Sequence, residues 1–273
     1  MVVCREYMEK PLFVNVNDTL ARARNIMIER KVDRLLVEDE GRLVGILTLK
    51  DISRRLFSSS PTWRRRPIDE IFVGRIMSQN LKTLSSDAQI TEAARLMIAE
   101  DIGSIPLLEG DRVVGLITRI GICRYFIEHY EGVYKAGDIM NKRFSHVKPT
   151  HTVAHVVKLM DKKKSDWVAV IDPSDKLIGI ISTETLTYVS VNPEKTEQII
   201  SIYAREGREY RYLPILTAED IMDRNYPKVA PDSDAVKAAE ILIQPGKIVV
   251  PVVSNEILKG GVSRKEIVRC VLK

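Results

Sequence analysis

Cysteine is scarce in this chain. Its 273 residues include three, Cys4, Cys123 and Cys270. They are odd in number and far apart, which excludes a disulfide framework and the C-x-x-C spacing of a metal site. No apolar run approaches the roughly 20 residues that a membrane helix needs, so no membrane partner is expected. The first residues, MVVCREYMEK, lack a basic start leading into an apolar core and do not read as a secretory signal. Together these absences point to a soluble, reduced, cytoplasmic protein. Catalytic signatures are missing too: there is no nucleophile elbow, P-loop or H-E-x-x-H helix. No catalytic constellation is visible, and no enzymatic activity is expected. His151 and His155 stand at i, i+4, a spacing that suits a metal, but no third ligand accompanies them and no metal site is expected.

Apolar residues make up 45% of the chain and charged residues 29%, enough for sizeable cores under a well-solvated surface. The net charge of +5 is compatible with anionic ligands or nucleic acid and does not choose between them. A short basic run beside an aromatic, Trp63-Arg64-Arg65-Arg66, is the place where nucleic acid would bind, or it is a solvated linker.

The chain repeats itself. GILTLKD begins at Gly45, GLITRIG at Gly115, GIISTET at Gly179 and GGVSRKE at Gly260. Each is preceded by a methionine, at Met8, Met77, Met140 and Met222, with spacings of 37, 38, 39 and 38 residues. Four near-equal spacings define a unit of about 55 to 60 residues that occurs four times. Within each unit a β-like segment leads to a helix, an apolar strand, a turn, a second strand carrying the glycine motif, and a closing helix. In the second unit Ile90, Ala93, Ala94 and Met97 fall on one helical face. The order is β-α-β-β-α, and the fold class is α/β of the α+β type. The expected repeats are 1–57, 70–130, 134–190 and 214–273. So small a unit leaves an apolar flank uncovered and should pair. The long linkers follow repeats one and three, so the pairs are set as modules 1–132 and 133–273.

This pattern resembles the CBS (cystathionine beta-synthase) domain. The DIM starts, the element order, the strands IPLLE and VPVVS, and the four G-h-h-[ST]-x-x-[DN]-like endings carry the resemblance over nearly the whole chain. It implies two pseudo-two-fold Bateman modules. The four-copy build is similar to that of the gamma subunit of AMP-activated protein kinase and of stand-alone archaeal proteins. The resemblance also implies a regulatory protein that binds adenosyl ligands (AMP, ADP or ATP) in clefts between repeats and signals to an unidentified regulated protein. S-adenosylmethionine or methylthioadenosine in the same clefts is the alternative. The two modules could close on each other, or two chains could form a homodimer.

The residues grade the four sites. Thr48 ends a strand where it can cap the next helix or face an anion, and Asp51 can accept two ribose hydroxyls or complete the cap. The second repeat keeps Thr118 but has Gly121 in place of the acid. The third keeps Ser182 and has Thr185. The fourth keeps Ser263 and has Glu266, with a longer reach. The expected order of sites is first, fourth, third, second. By the resemblance, Arg34 reaches a phosphate; the matching residues are Ser104, Trp167 and Val249. The alternative for Arg34 is an exposed salt bridge with Asp33 or Glu38. Trp167 could stack on an adenine or pack in the core. The first β segments place Phe13, Thr83, His146 and Lys228 at equivalent points; the resemblance implies that this segment lines the cleft, where Thr83 matches the family's usual hydroxyl and Phe13 does not.

Overall fold

A computed structural model describes residues 2–56, 68–186 and 216–273. The basic run Trp63–Arg66 and most of the long linker after repeat three lie outside the described residues, so their expected roles carry no structural account.

The first repeat contains β1 (Phe13–Asn15), α1 (Leu20–Arg30), β2 (Arg34–Asp39), β3 (Arg42–Thr48) and α2 (Leu49–Leu56). The second has β4 (Leu84–Ser85), α3 (Ile90–Ala99), β5 (Ser104–Glu109), β6 (Arg112–Thr118) and α4 (Arg119–His129). A short helix α5 (Ala136–Ile139) opens the third, followed by β7 (His146–Val147), α6 (Val153–Lys163), β8 (Trp167–Ile171) and β9 (Leu177–Ser182). The fourth has α7 (Ala218–Ile221), α8 (Ala235–Leu242), β10 (Val249–Ser254), β11 (Ile257–Ser263) and α9 (Arg264–Cys270). In the first three repeats the leading strand runs parallel to the second, which pairs antiparallel with the third. The fourth keeps only a parallel bridge, Val229 to Val252, in place of the leading strand.

Local chemistry explains these elements. Thr19, Thr152 and Asp234 cap α1, α6 and α8 by accepting from the N–H groups of Arg22, His155 and Val236. The β2–β3 hairpin turns at Glu40 and Gly41, both with positive φ, the two-residue geometry whose twist suits paired strands. Ile90, Ala93, Ala94 and Met97 are all buried, as their helical spacing predicts.

The packing unit differs from the sequence repeat in one respect. The segment that opens each repeat lies on the partner repeat. Glu9 exchanges backbone hydrogen bonds with Leu116, Ser78 with Ile46, Asn141 with Gly261, and Asp223 with Ile180. In consequence each repeating methionine packs on its partner's glycine: Met8 on Gly115, Met77 on Gly45, Met140 on Gly260 and Met222 on Gly179. Repeats one and two therefore interlock, as do three and four.

The two modules then pack on each other within one chain. Helix α4 lies against α8 and α9, and α3 against α9. Ile90, Met97, Ile122, Cys123 and Phe126 of repeat two share one core with Ala239, Leu242, Ile267 and Val268 of repeat four. Two ion pairs cross the same junction, Lys265 to Asp101 at 2.5 Å and Lys50 to Asp166.

Candidate functional site

The second and third strands of each repeat set the register of the site. Arg34 lies directly opposite Thr48, Ser104 opposite Thr118, Trp167 opposite Ser182, and Val249 opposite Ser263. Each motif hydroxyl ends its strand and starts a helical turn. The two residues after each hydroxyl converge from all four repeats on one central cavity of about 500 Å³: Leu49 and Lys50, Arg119 and Ile120, Thr183 and Glu184, Arg264 and Lys265. Arg34, Thr48, Ser263 and Glu266 also line it. Basic side chains outnumber acidic ones around it, so it is a place for an anion.

Arg34 is held in the plane of the Asp33 carboxylate, with Nε 2.7 Å from Oδ1 and NH2 2.6 Å from Oδ2. The expected alternative partner Asp33 is thus real, but the pair is not an exposed one: the Arg34 side chain is 15% exposed. Burial pushes the Asp33 carboxyl up, and Arg34 outweighs it, holding the group at about 2. Burial also works against the Arg34 charge, and Asp33, with Glu9 and Glu184, outweighs it and keeps the guanidinium protonated.

Arg119 enters from the second repeat. Its NH2 lies 3.4 Å from Asp101, which also binds Lys265. Among the described residues, its Nε is the buried side-chain polar atom with no hydrogen-bond partner. Burial and the neighbouring Arg34 pull its pKa down against Asp101 and Asp166. A buried donor left unpaired carries a cost that an anion in the cavity would relieve. Arg264 donates to the carbonyls of Leu242 and Lys247, which fixes its guanidinium at the cavity wall.

The motif hydroxyls and acids all act as helix caps here. The Asp51 carboxylate accepts from the Thr48 N–H at 2.9 Å and the Thr48 hydroxyl at 2.6 Å, both at Oδ2. Thr118 accepts from the Gly121 N–H and is buried. Ser182, also buried, pairs with the Thr185 hydroxyl at 3.0 Å. Glu266 takes the Ser263 hydroxyl at 2.5 Å on Oε2 and Arg269 at 3.1 Å on Oε1, so both its oxygens are engaged. Gly121 has a steric reason: a Cβ there would run into the backbone carbonyl of Tyr7, supplied by the exchanged N-terminal segment.

Phe13, Thr83, His146 and Lys228 do fall at one register point. Phe13 pairs with Leu36 and His146 with Ala169, and the neighbouring pairs Leu84–Leu107 and Val229–Val252 align the other two. All four are exposed, and none lines the central cavity. Trp167 does line it, while its ring lies against Gly261 and stacks on Phe144 at 6.2 Å. Trp167 is thus partly buried, packing on a core cluster and lining the cavity at once. A second, shallower cleft lies between Asn141, Lys142 and Arg143 of the exchanged segment and Glu266, Arg269 and Lys273. His151 and His155 lie 4.6 Å apart between ring centres, and no group of three metal-ligating side chains occurs among the described residues.

Residues 4–58, 73–128, 136–192 and 218–273 each match the CBS domain. The chain belongs to the CBS domain family. The resemblance read from the motifs is therefore correct, and the interlocked pairs are CBS pairs of the Bateman type. Protein MJ1404 of Methanocaldococcus jannaschii is 27% identical over 214 residues, 74% of this chain and 49% of that protein. A CBS domain-containing protein of Dictyostelium discoideum is 31% identical over 141 residues, 48% of this chain and 96% of that one. The crystal structure of protein MJ1225 of M. jannaschii superposes with a TM-score of 0.82 at 21% identity, covering 98% of this chain and 99% of that one. That likeness is one of fold. The chain spans about half the length of MJ1404. Among the described residues no helix is long and apolar enough to cross a membrane.

Arg119, Arg264, Lys265, Asp101 and Glu184 were not singled out from the sequence. The signal was present: in two of the four motifs the hydroxyl is followed directly by arginine, Thr118-Arg119 and Ser263-Arg264.

Proposed function

We propose that this CBS protein is a regulatory module that binds an adenine nucleotide (AMP, ADP or ATP), with its phosphate in the central cavity and its ribose at Asp51. One observation carries the reading: Arg34 from the start of β2 and Arg119 and Arg264 from strand-to-helix turns, out of three repeats, meet at one cavity, with the buried Arg119 Nε unpaired. Guanidinium groups bind phosphate through paired N–H bonds. In the first repeat Thr48 stands at the cavity edge beside Arg34. The Asp51 cap uses Oδ2, so Oδ1 is the atom for a ribose hydroxyl. Phe13, 37% exposed one strand over, offers a ring face to a base. The first repeat is the primary site, and the cleft beside Glu266 is the next, because Glu266 must release its cap or Arg269 before it can hold a sugar. Binding is read by a separate regulated protein through a change in how the modules sit.

Thermal unfolding with AMP, ADP, ATP, S-adenosylmethionine and methylthioadenosine tests this for the wild type and Asp51→Ala. A ligand at 100 times its dissociation constant adds about 2.7 kcal/mol. For a chain of this size the midpoint rises by roughly 5 to 10 °C. The reading holds if a phosphorylated nucleotide shifts the wild type and Asp51→Ala loses the shift. A response to the thioether ligands alone removes the phosphate role of the cavity. No response at all leaves Asp51 as a helix cap.

A further inference from the structure

The third repeat breaks the charge pattern of the cavity. At the second position after the motif hydroxyl, repeats one and four carry Lys50 and Lys265, and repeat two carries Ile120. Repeat three carries Glu184. All four side chains line the cavity, so this position is where each repeat addresses a bound anion. The other cavity acids are spoken for: Asp33 by Arg34, Asp101 by Arg119 and Lys265, Asp166 by Lys50, and Glu266 by Arg269. Among the described residues Glu184 has no ion pair within 4.0 Å. Among the described residues it is therefore the wall carboxylate that no ion pair takes up.

We propose that Glu184 is the specificity-determining residue of the cavity, selecting against ligands with more negative charge by placing an unpaired carboxylate opposite Arg34 and Arg264. The proposal rests on the nucleotide reading above and adds which nucleotide the cavity prefers: the one with fewest phosphates. The groups that face Glu184 are Arg264 of α9, Asp33 and Arg34 before and at the start of β2, Lys247 before β10, and Tyr226 before the fourth repeat's first segment. Lys247 is taken by Asp223 at 2.9 Å, and Arg264 by two carbonyls. Burial raises the Glu184 pKa against the pull of Arg264, so each phosphate that enters has to meet its charge or have it protonated. An anion held by Arg34 or Arg264 stands within electrostatic reach of Glu184, so the repulsion grows with each phosphate charge the ligand carries.

The test is a calorimetric titration of AMP, ATP and inorganic tripolyphosphate, without divalent cations, into the wild type, Glu184→Gln and Glu184→Lys. Glutamine keeps the shape and breaks no ion pair, so the fold is expected to survive, and a melting curve of each variant checks this. A unit charge at about 10 Å in a medium of effective dielectric about 20 changes affinity roughly tenfold. Glu184→Gln is expected to raise ATP affinity by at least tenfold more than AMP affinity, and Glu184→Lys to widen the gap further. If AMP and ATP bind the wild type and both variants shift them equally, Glu184 is no selector, while the nucleotide reading stands. If neither nucleotide binds but tripolyphosphate does, and binds Glu184→Gln more tightly than the wild type, the selector stands and the nucleotide reading falls. If no anion binds any of the three proteins, both are overturned.

Discussion

At the scale of single residues, charge and burial decide what the site can hold. Asp33 and Arg34 are adjacent in sequence and form a bidentate pair at the strand start. That pair fixes the guanidinium plane before any ligand arrives, which lowers the ordering cost of binding. It also makes stability depend on acid. The Asp33 carboxyl sits at about 2 in the folded protein against an ordinary value of 3.8. A depressed acid adds stability that is fully present above the unfolded value and is lost as the pH falls through the folded one. The urea midpoint of the wild type should therefore fall between about pH 4 and pH 2. Asp33→Asn should lose that part of the slope and be less stable at neutral pH, because Arg34 is left buried without its counter-ion. Equal slopes for the two proteins would contradict the pair.

At the scale of elements, the glycine motifs are packing contacts before they are anything else. The spacing between each methionine and the next glycine revealed four repeats, yet the methionine touches the glycine of the partner repeat. A sequence period is the same whether segments stay or exchange, so the exchange was not legible. Element order, the equivalent positions of the four repeats and the buried face of α3 were legible, because periodicity and turn chemistry are local. The pairing of Arg34 with Thr48 across β2 and β3 came from the structure. Two glycines separate close packing from obstruction. A Cβ on Gly45 would meet the Met77 Sδ at 2.5 Å, which can move aside, and the Ser78 backbone carbonyl at the looser 3.0 Å. A Cβ on Gly121 would meet the Tyr7 backbone carbonyl, which is fixed by the N-terminal segment. Gly121→Ala should cost about 2 to 3 kcal/mol and Gly45→Ala about 1 kcal/mol, measured by denaturant unfolding. Similar costs at both positions would contradict the contrast between a yielding side chain and a fixed backbone carbonyl.

At the scale of the whole molecule, the cavity exists only because four turns meet. No single repeat contains it, so Glu184 carried no signal within its own motif; Arg119 and Arg264 carried one, an arginine directly after the hydroxyl, and Arg34 was reached through the family resemblance. The shared core around Phe126 holds repeats two and four together, and the pairs Lys265–Asp101 and Lys50–Asp166 flank the space between modules. Exposed ion pairs of this kind are worth about 0 to 1 kcal/mol each, so the helical core and not the bridges sets the module geometry. Arg119 offers its unpaired Nε to an anion while its NH2 lies beside Asp101, which is also the partner of Lys265 across the junction. Ligand binding and module contact thus share residues, which is the physical basis for a regulatory output.

The most direct measurement is a calorimetric titration of AMP into the wild type and Arg119→Met, which keeps the apolar stem and removes the guanidinium. A hydrogen bond to a charged group contributes about 1.5 to 3 kcal/mol, so Arg119→Met should bind AMP at least about tenfold more weakly while melting at a similar temperature. Equal affinity in the two proteins, or no AMP binding by the wild type, would show that the four-repeat cavity does not hold the nucleotide phosphate.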